Sequence, residues 1–254
     1  MAITVAGREL TLTHRLEQAR IAARAELQAR AAMRYLDLSD LDASTPSWTA
    51  MQIGLLRGRY AESRALAERY ISDFRFAELG SASGIVVAPT FPEAAAQTML
   101  RVTGPVAIKT MIGRGMHPEV AFDSARRGVS GRAQKWALGG GRRTVTETAR
   151  ADRRVKRYRR VTGSSKTCAF CGMLVARSIV GRSFADVAFA AHAHCRCTAE
   201  LVYGEMPTTE AEDAFISSYD DAARAADDAG EKRTAKNILP RMRASGIFRD
   251  SPTP

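Results

Sequence analysis

The residues with the clearest potential for chemistry are cysteines and histidines concentrated in one short segment. All four cysteines lie within 30 residues, as a C-x2-C pair followed by a C-x-C pair, and two of the four histidines stand beside the second pair. A C-x2-C turn puts two thiolates on one side of a tight knuckle, and a second pair can complete a tetrahedron around zinc. The candidate ligands are Cys168, Cys171, His192, Cys195 and Cys197, with His194 as a further donor.

Three other uses of these side chains are open at this point. Two disulfides would need an oxidising compartment, which nothing in the sequence indicates. A redox-active C-x2-C would need a βαβ context, which is absent, and a catalytic pair would need Cys168 or Cys195 to meet a histidine. Thiolates favour zinc over calcium or magnesium. We therefore expect one structural zinc ion per chain, which would replace a hydrophobic core in a small lobe.

The segment around the cysteines resembles a known family. CAFCGMLVARSIVGRSFADVAFAAHAHCRC, with TARADRRVKRYRRVTGSSKT before it and TAELVY after it, is similar to the MuF-like minor capsid proteins of tailed actinobacteriophages. That family has a basic helix, then C-x2-C, then H-x-x-C-x-C and a short strand. His192, Cys195 and Cys197 fit the second element, and His194 adds a histidine to it. The resemblance covers about residues 142–205, and the choice between the two histidines is open.

The resemblance implies a virion component that is made during head assembly in the host cytoplasm and lies inside the capsid in multiple copies. Its implied partners are the portal protein, the major capsid protein or both, and packaged double-stranded DNA. Some family members are described as capsid maturation proteases. The sequence has no G-x-S-x-G, Walker A or H-E-x-x-H motif, so we expect no enzymatic activity.

A block of basic residues is the second notable feature. The chain carries 38 Lys and Arg against 27 Asp and Glu, which gives a net charge of +11. Residues 91–165 hold 16 basic and 5 acidic residues, so 16 − 5 = +11 and the rest of the chain is neutral overall. A localised excess of this kind is typical of a polyanion partner. The candidate phosphate contacts are Arg142, Arg143, Arg150, Arg153, Arg154, Lys156, Arg157, Arg159 and Arg160.

These basic residues have two interpretations, both on a helix predicted over about 142–161. In the first, the helix contacts phosphates without reading bases. In the second, its Val, Ala and Tyr edge packs inside while its arginines face solvent or an acidic helix predicted over about 208–226. Tyr158 is the one aromatic residue of the segment, so we do not expect base stacking on single strands.

The elements that must position these residues are predicted to be mostly helices. Apolar periodicity and terminal signals predict helices over about 9–36, 46–79, 94–102, 105–113 and 118–138, with a stop at Gly139–Gly141. The first helix would bury Leu12, Leu16, Ala19, Ala23 and Leu27.

Individual residues near these helices carry further expectations. Thr45 would cap the second helix before Pro46, and Thr90 with Glu93 would form a capping box. We expect Trp48 and Trp136 to be buried anchors, His14 to be exposed and His117 to serve a cap or turn.

Together the patterns predict a mainly α fold. Its parts are a helical domain over 1–141, a basic helix with a zinc-stapled α+β lobe over 142–205, and an acidic helix with a flexible tail over 206–254. Neither a transmembrane segment nor a secretory signal is expected. The predicted function is that of a structural minor capsid protein in phage head assembly, in contact with packaged DNA. The alternatives are a capsid maturation protease and a non-specific nucleic-acid-binding zinc module.

Overall fold

The fold is mainly α, as predicted. The computed structural model describes residues 3–162, 167–180, 189–205 and 207–251. Its elements are α1 (Val5–Ala32), α2 (Leu41–Leu79), α3 (Glu93–Thr103), α4 (Pro105–Gly113), α5 (Pro118–Ala137), α6 (Gly139–Ala151), β1 (Arg157–Val161), α7 (Ala169–Val180), β2 (Thr198–Val202), α8 (Glu210–Asp228) and α9 (Ala235–Ala244). Within those ranges no helix combines the length and hydropathy needed to cross a bilayer.

The helices α1 and α2 form a long hairpin. Thr4 caps α1, since its hydroxyl oxygen accepts the amide hydrogen of Gly7 at 2.9 Å. The start predicted for α2 is wrong, because the helix begins five residues earlier, after Asp40. The Asp40 carboxylate accepts the amide hydrogen of Ala43 at 3.0 Å, and this capping bond fixes the start. Pro46 therefore lies inside the helix, and α2 ends at Gly80 in the left-handed conformation.

The face that α1 buries is not the predicted one. Leu12, Leu16 and Leu27 are exposed by 52%, 53% and 69%, so the prediction of an inward leucine face is wrong. The buried face consists mainly of small and polar side chains, which let α1 lie close to α2 and α5. Its members are Gly7, Thr11, His14, Gln18, Ile21, Ala22, Ala25, Ala29 and Ala32.

His14 was expected on the surface and is instead buried in the α1–α2 hairpin. Its ring stacks on Tyr70 with the centroids 4.2 Å apart and an interplanar angle of 15°. The Tyr70 hydroxyl shares a 2.9 Å hydrogen bond with the hydroxyl of Thr11. Burial lowers the pKa of His14 to about 3, so the imidazole is neutral in the folded protein.

The largest apolar core lies among α1 to α5. Trp48 is fully buried in it, together with Leu56, Leu100 and Ile108, and Trp136 packs against it while partly buried. The prediction that both tryptophans are anchors is confirmed. The predicted limits of α4 and α5 agree with the structure within a residue. The capping box expected before α3 is wrong, because the N-cap is Pro92, which forms no side-chain capping bond.

Helix α5 ends at Ala137, next to the predicted stop, but the three glycines Gly139–Gly141 at once form the first turn of α6. A side chain at Gly140 would overlap the carbonyl oxygen of Tyr60 on α2. The amide of Gly141 donates to the Ser63 hydroxyl at 2.9 Å. The glycines therefore allow α6 to cross α2 at backbone contact distance, and the boundary predicted at 141/142 lies inside a helix.

The basic helix predicted over 142–161 is wrong beyond Ala151. Asp152 follows α6 in an extended conformation, and its carboxylate accepts a 3.0 Å hydrogen bond from the amide of Arg154 and a 2.6 Å bond from buried Arg75. The chain then enters β1, which pairs with β2 in an antiparallel register from Arg157↔Val202 to Val161↔Thr198. The first half of the expected helix is therefore helical, and only its last five residues form a strand.

The acidic helix is confirmed as α8, which starts with a capping box between Thr209 and Glu212. The flexible tail expected after it is wrong. Helix α9 follows, and its Ile238 and Met242 are buried, with Phe248 beyond it, in one core with α7 and α8. The burial of these apolar side chains stabilises the segment after α8, where the sequence pattern indicated too few apolar residues for an ordered structure. The last three residues of the expected tail, 252–254, lie outside the described residues.

Candidate metal centre

The four cysteine thiols converge beside His192, between the start of α7 and the start of β2. Cys168 lies just before α7, and Cys171 lies in its first turn. The Nε2 atom of His192 is 3.0 Å from the Sγ of Cys168 and 3.4 Å from that of Cys171. The Sγ atoms of Cys171 and Cys195 are 3.7 Å apart. All four cysteines are buried, and none forms a disulfide.

Two overlapping groups of metal-binding atoms share Cys171. One group is Cys168, Cys171 and His192, and the other is Cys171, Cys195 and Cys197, and the ligand atoms within each group lie within 4.8 Å of one another. The five donors exceed the four positions of a tetrahedron by one. Each group offers three ligands to one ion, and a fourth ligand from the other group would have to move closer to complete a tetrahedron.

Two of the distances within these groups fit tetrahedral zinc, whereas the 3.0 Å between Cys168 and His192 is shorter than such a site needs. Zn–S bonds of about 2.3 Å at tetrahedral angles separate two sulfur atoms by about 3.8 Å, and a Zn–N bond of about 2.05 Å separates nitrogen and sulfur by about 3.5 Å. The Cys171–Cys195 distance of 3.7 Å and the Cys171–His192 distance of 3.4 Å agree with these values. A metal site is thus available in the described residues, and the donor chemistry favours zinc.

The two neighbouring histidines point in different directions. The Nδ1 atom of His192 hydrogen bonds to the carbonyl oxygen of Ala193, which leaves Nε2 free to face the thiols. His194 has a left-handed backbone with φ 61°, and its amide donates to the carbonyl oxygen of Gly131 at 3.1 Å. Its ring lies against Gly131 on α5, where a side chain on that glycine would overlap it. Of the two, His192 is the candidate ligand.

The cluster shifts the pKa values of its thiols in both directions, since the pKa is lowered for Cys168 and Cys195 and raised for Cys171 and Cys197. Hydrogen bonds from Cys171 and His192 lower the pKa of Cys168 to about 4. Hydrogen bonds from Cys171 and Cys197, with the nearby charges of Arg142 and Arg160, lower the pKa of Cys195. Thiolates bind zinc, and thiols must lose their protons to do so. The surroundings therefore favour the thiolate form, which binds a cation, at Cys168 and Cys195.

Arg142, predicted to contact phosphate, is instead buried behind the cysteines. Its Nη2 donates to the carbonyl oxygen of Cys195 at 2.7 Å, and its Nε donates to that of Cys197 at 2.9 Å. Burial lowers the pKa of Arg142, with the thiolates of Cys195 and Cys197 acting in the opposite direction. The guanidinium therefore holds the C-x-C turn in position and offsets negative charge on its sulfurs.

Arg160 approaches the same sulfurs from the strand β1. Its Nη1 is 3.8 Å from the Sγ of Cys195, and its Nη2 donates to the carbonyl oxygen of Ala190. The guanidinium carbon lies 4.0 Å from the centre of the Phe189 ring. A second basic residue assigned to phosphate thus supports the cysteine cluster.

Arg159 has a third structural role, in a buried ion triad. Its Nε donates to Glu200 on β2 at 2.8 Å, and its Nη1 lies 3.4 Å from Glu212 on α8. The side chains of Arg159 and Glu200 are 4% and 1% exposed. The triad joins the sheet to the acidic helix α8. This contact agrees with the structural interpretation of the basic segment, in which some arginines face the acidic helix.

The remaining basic candidates are partly or fully exposed. Arg143 is half-buried and donates to Glu147 and to the carbonyl oxygen of Thr90, while Arg157 donates to the carbonyl oxygen of Ile179. The exposed residues gather at the end of α6 and in the turn before β1. They are Arg150, Arg153, Arg154 and Lys156.

Sequence reasoning missed the aromatic and backbone partners of the site. Phe189 lies against Arg142 and Arg160, and Gly131 provides the surface that takes His194 away from the thiols. Spacing along the chain carries no signal for either contact, because Gly131 is on α5 and meets the C-terminal lobe through tertiary packing alone. The strand β1 also lacks the period-two alternation that would have revealed it, because its three central residues are all buried.

Comparison with known proteins connects this site to a phage protein family. The sequence model of the VG15 protein family matches residues 7–223, which include both helices of the hairpin, the cysteine cluster and most of α8. No curated protein and no solved structure gives a match. Because the family match spans most of the chain, the chain belongs to the VG15 protein family, a family of phage gene products.

Proposed function

We propose that this protein is a structural minor capsid protein of a tailed phage, with a MuF-like C-terminal lobe, that acts in head assembly at the portal or the inner capsid. The observation that carries the proposal is the convergence of four thiols and His192 in a chain that belongs to a phage family. The same Cys/His pattern underlies the resemblance to the MuF-like proteins. The protein would lie inside the capsid in multiple copies, after assembly in the host cytoplasm.

The C-terminal lobe would owe its stability to one structural zinc ion. Cys171, Cys195 and Cys197 would hold the ion, with Cys168 or His192 in the fourth position. Bound zinc would cross-link α7 to β2, where the lobe has little apolar core of its own around the thiols. Arg142 would brace the C-x-C turn and offset the charge of the thiolates.

Contact with packaged DNA is proposed only for the exposed part of the basic block. Arg142, Arg159 and Arg160 have buried, internal roles, which removes them from the proposed contact. The exposed group Arg150, Arg153, Arg154 and Lys156 remains, with Arg150 in the last turn of α6 and the other three in the turn before β1. Such a group would bind phosphates without reading sequence.

We propose a structural role over the alternative of a capsid maturation protease. Cys168 does lie 3.0 Å from His192, as a catalytic pair would require, but Cys168 is buried and His192 is shared with the second thiol Cys171, which favours a ligand cluster over a nucleophile and its base. A non-specific zinc module for nucleic acid is the remaining alternative. Its affinity for DNA would not depend on capsid components.

Virion composition and complementation test the proposed function. Purified virions should contain the protein, and it should co-purify with the portal or the major capsid protein from infected cells. A phage lacking the gene should form defective heads, which the wild-type gene restores and the Cys171→Ser gene does not. Absence from virions and normal heads without the gene would contradict a structural role.

Co-expression with the capsid and scaffold proteins tests the protease alternative. We expect no cleavage of either protein. Cleavage that a single Ser, His or Cys substitution abolishes would overturn the proposed function and favour the enzyme.

A further inference from the structure

The outer face of α1 carries an apolar stripe that no described part of the chain covers. Val5, Leu12, Leu16 and Leu27 are exposed by 63%, 52%, 53% and 69%. Ala23 is also exposed and continues the stripe between Leu16 and Leu27. Large apolar residues on one contiguous helix face are a feature of interaction surfaces.

The spacing of the stripe is that of a helix that packs on another helix. Leu12, Leu16, Ala19, Ala23 and Leu27 follow one another at intervals of four, three, four and four residues. This spacing keeps the side chains on one side of a helix with 3.6 residues per turn. The opposite face of α1 is already occupied by α2 and α5. The exposed stripe is therefore a ridge with room for one further helix.

We propose that two copies of this protein associate through antiparallel α1 helices, around a twofold axis between Ala19 and Arg20. With this axis, residue i of one copy lies at the height of residue 39 − i of the other, because a twofold contact is self-complementary. Leu12 then meets Leu27 of the second copy, both about 11 Å from the axis. Leu16 meets Ala23 of the second copy. The large side chains thus face each other or a small one.

Charge complementarity favours a second copy as the partner. The same axis brings Glu9 of one copy to the height of Arg30 of the other, and symmetry repeats this pair at the opposite end. Both residues are exposed, and neither forms an ion pair within the described part of the chain. Arg20 would lie at the rim near its symmetry mate, and Glu17, one turn earlier on the same helix, offsets that charge. The register thus pairs the two unmatched charges at the ends of the stripe.

Analytical ultracentrifugation of the zinc-loaded full chain tests the dimer. We expect a dimer at tens of micromolar protein and a monomer for Leu16→Asp, because a buried, unpaired carboxylate opposes association. Val102→Asp is the matched control, since Val102 is a similarly exposed apolar residue on α3, with 53% exposure. Circular dichroism establishes that each variant is folded. A monomeric wild type, a dimeric Leu16→Asp or a monomeric Val102→Asp would overturn the proposal.

Charge reversal tests the register. Glu9→Arg and Arg30→Glu should each weaken dimerisation by about tenfold, because each creates two like-charge contacts across the twofold axis. The double variant restores opposite charges and should return the dissociation constant to within about threefold of wild type. A double variant as weak as either single variant would overturn this register. The dimer is independent of the proposed capsid role, and its failure leaves that role unaffected.

Discussion

Arg142 on α6 donates a 2.7 Å hydrogen bond to the carbonyl oxygen of Cys195 in the candidate metal centre. Arg142, which the sequence assigned to phosphate contact, therefore holds the cysteine lobe in place from the interior of the protein. The bond links the N-terminal helices to the cysteine lobe, because α6 also packs along α2. Loss of this brace should affect the fold and the metal together.

Replacement of Arg142 by Met should destabilise the protein by about 3 kcal/mol, since it leaves the carbonyl groups of Cys195 and Cys197 without their buried donor. Arg150→Met is the matched control, because Arg150 is an exposed arginine of the same helix, and its effect should stay within about 0.5 kcal/mol. Denaturant unfolding of the zinc-loaded proteins measures both. Equal effects of the two substitutions would contradict a bracing role.

The purified protein should contain about one zinc ion per chain under reducing conditions. Cys171→Ser should weaken zinc binding by at least about a hundredfold, because Cys171 belongs to both groups of donors. His192→Asn should weaken it less. His194→Asn is the control, since the His194 ring lies on Gly131, and it should leave the zinc content unchanged. Elemental analysis and competition with a chromophoric chelator give these values, and a zinc-free wild type would refute the site.

His14 should make the protein less stable at mildly acidic pH. Its pKa is about 3 in the folded state and about 6.5 in the unfolded state, so below pH 6.5 the unfolded chain binds the proton and the folded chain does not. The free energy of unfolding should therefore fall as the pH drops from 6.5 towards 3. At pH 5 the loss should be about 2 kcal/mol.

The His14→Phe variant isolates this contribution, because phenylalanine can stack on Tyr70 but does not titrate. Between pH 6.5 and pH 5 the free energy of unfolding should fall less for this variant than for wild type. The difference between the two losses should be about 2 kcal/mol. His117→Phe, at an exposed site before α5, should follow the wild-type profile. Parallel profiles for wild type and His14→Phe in denaturant titrations would show that His14 does not remain neutral.

Two glycines should respond in opposite directions to substitution by alanine. Gly140→Ala should destabilise the protein by about 3 kcal/mol, because the new methyl group meets the carbonyl oxygen of Tyr60. Gly58→Ala, where no atom lies within 4 Å, should stabilise α2 by about 0.5 to 1 kcal/mol. Thermal and denaturant unfolding distinguish the two. A neutral Gly140→Ala would mean that α6 does not cross α2 so closely.

The proposed DNA contact should depend on exposed arginines and lysine near the end of α6. Reversal of Arg150, Arg153 and Lys156 to glutamate should weaken binding to random duplex DNA and reduce the salt dependence of log K by about 3. The control reverses Arg101, Arg114 and Arg127, which are exposed elsewhere and give the same change in net charge. Fluorescence anisotropy at several salt concentrations measures both. Equal losses would indicate a general charge effect and no specific contact surface.

Local patterns predicted most of the helices and the residues that come together in the candidate metal centre. The cysteine spacing identified the residues that meet around Cys171, and proline and glycine signals identified the limits of α4 and α5. These features depend on residues close together in the sequence, or on donors with few other uses. Zinc itself and the roles in the virion stay predictions.

The errors arose where tertiary contacts decide the outcome. Gly140 reads as a helix breaker but allows two helices to approach, and Leu16 reads as core but faces outwards, because α1 uses alanines to pack. The arginines at 159 and 160 read as a solvated helix face. Their partners, Glu200 and Cys195, come from a segment more than 30 residues later, which no local pattern reveals.

Consecutive residues of α6 attach to opposite sides of the molecule. Gly141 bonds to Ser63 on α2, while Arg142 bonds to Cys195 in the metal lobe. The cysteine lobe and the long hairpin are therefore joined through adjacent residues of one helix, with no linker between the two points of attachment. If both proposals hold, this junction would keep DNA bound at the exposed arginines at a constant distance from a second copy bound along α1.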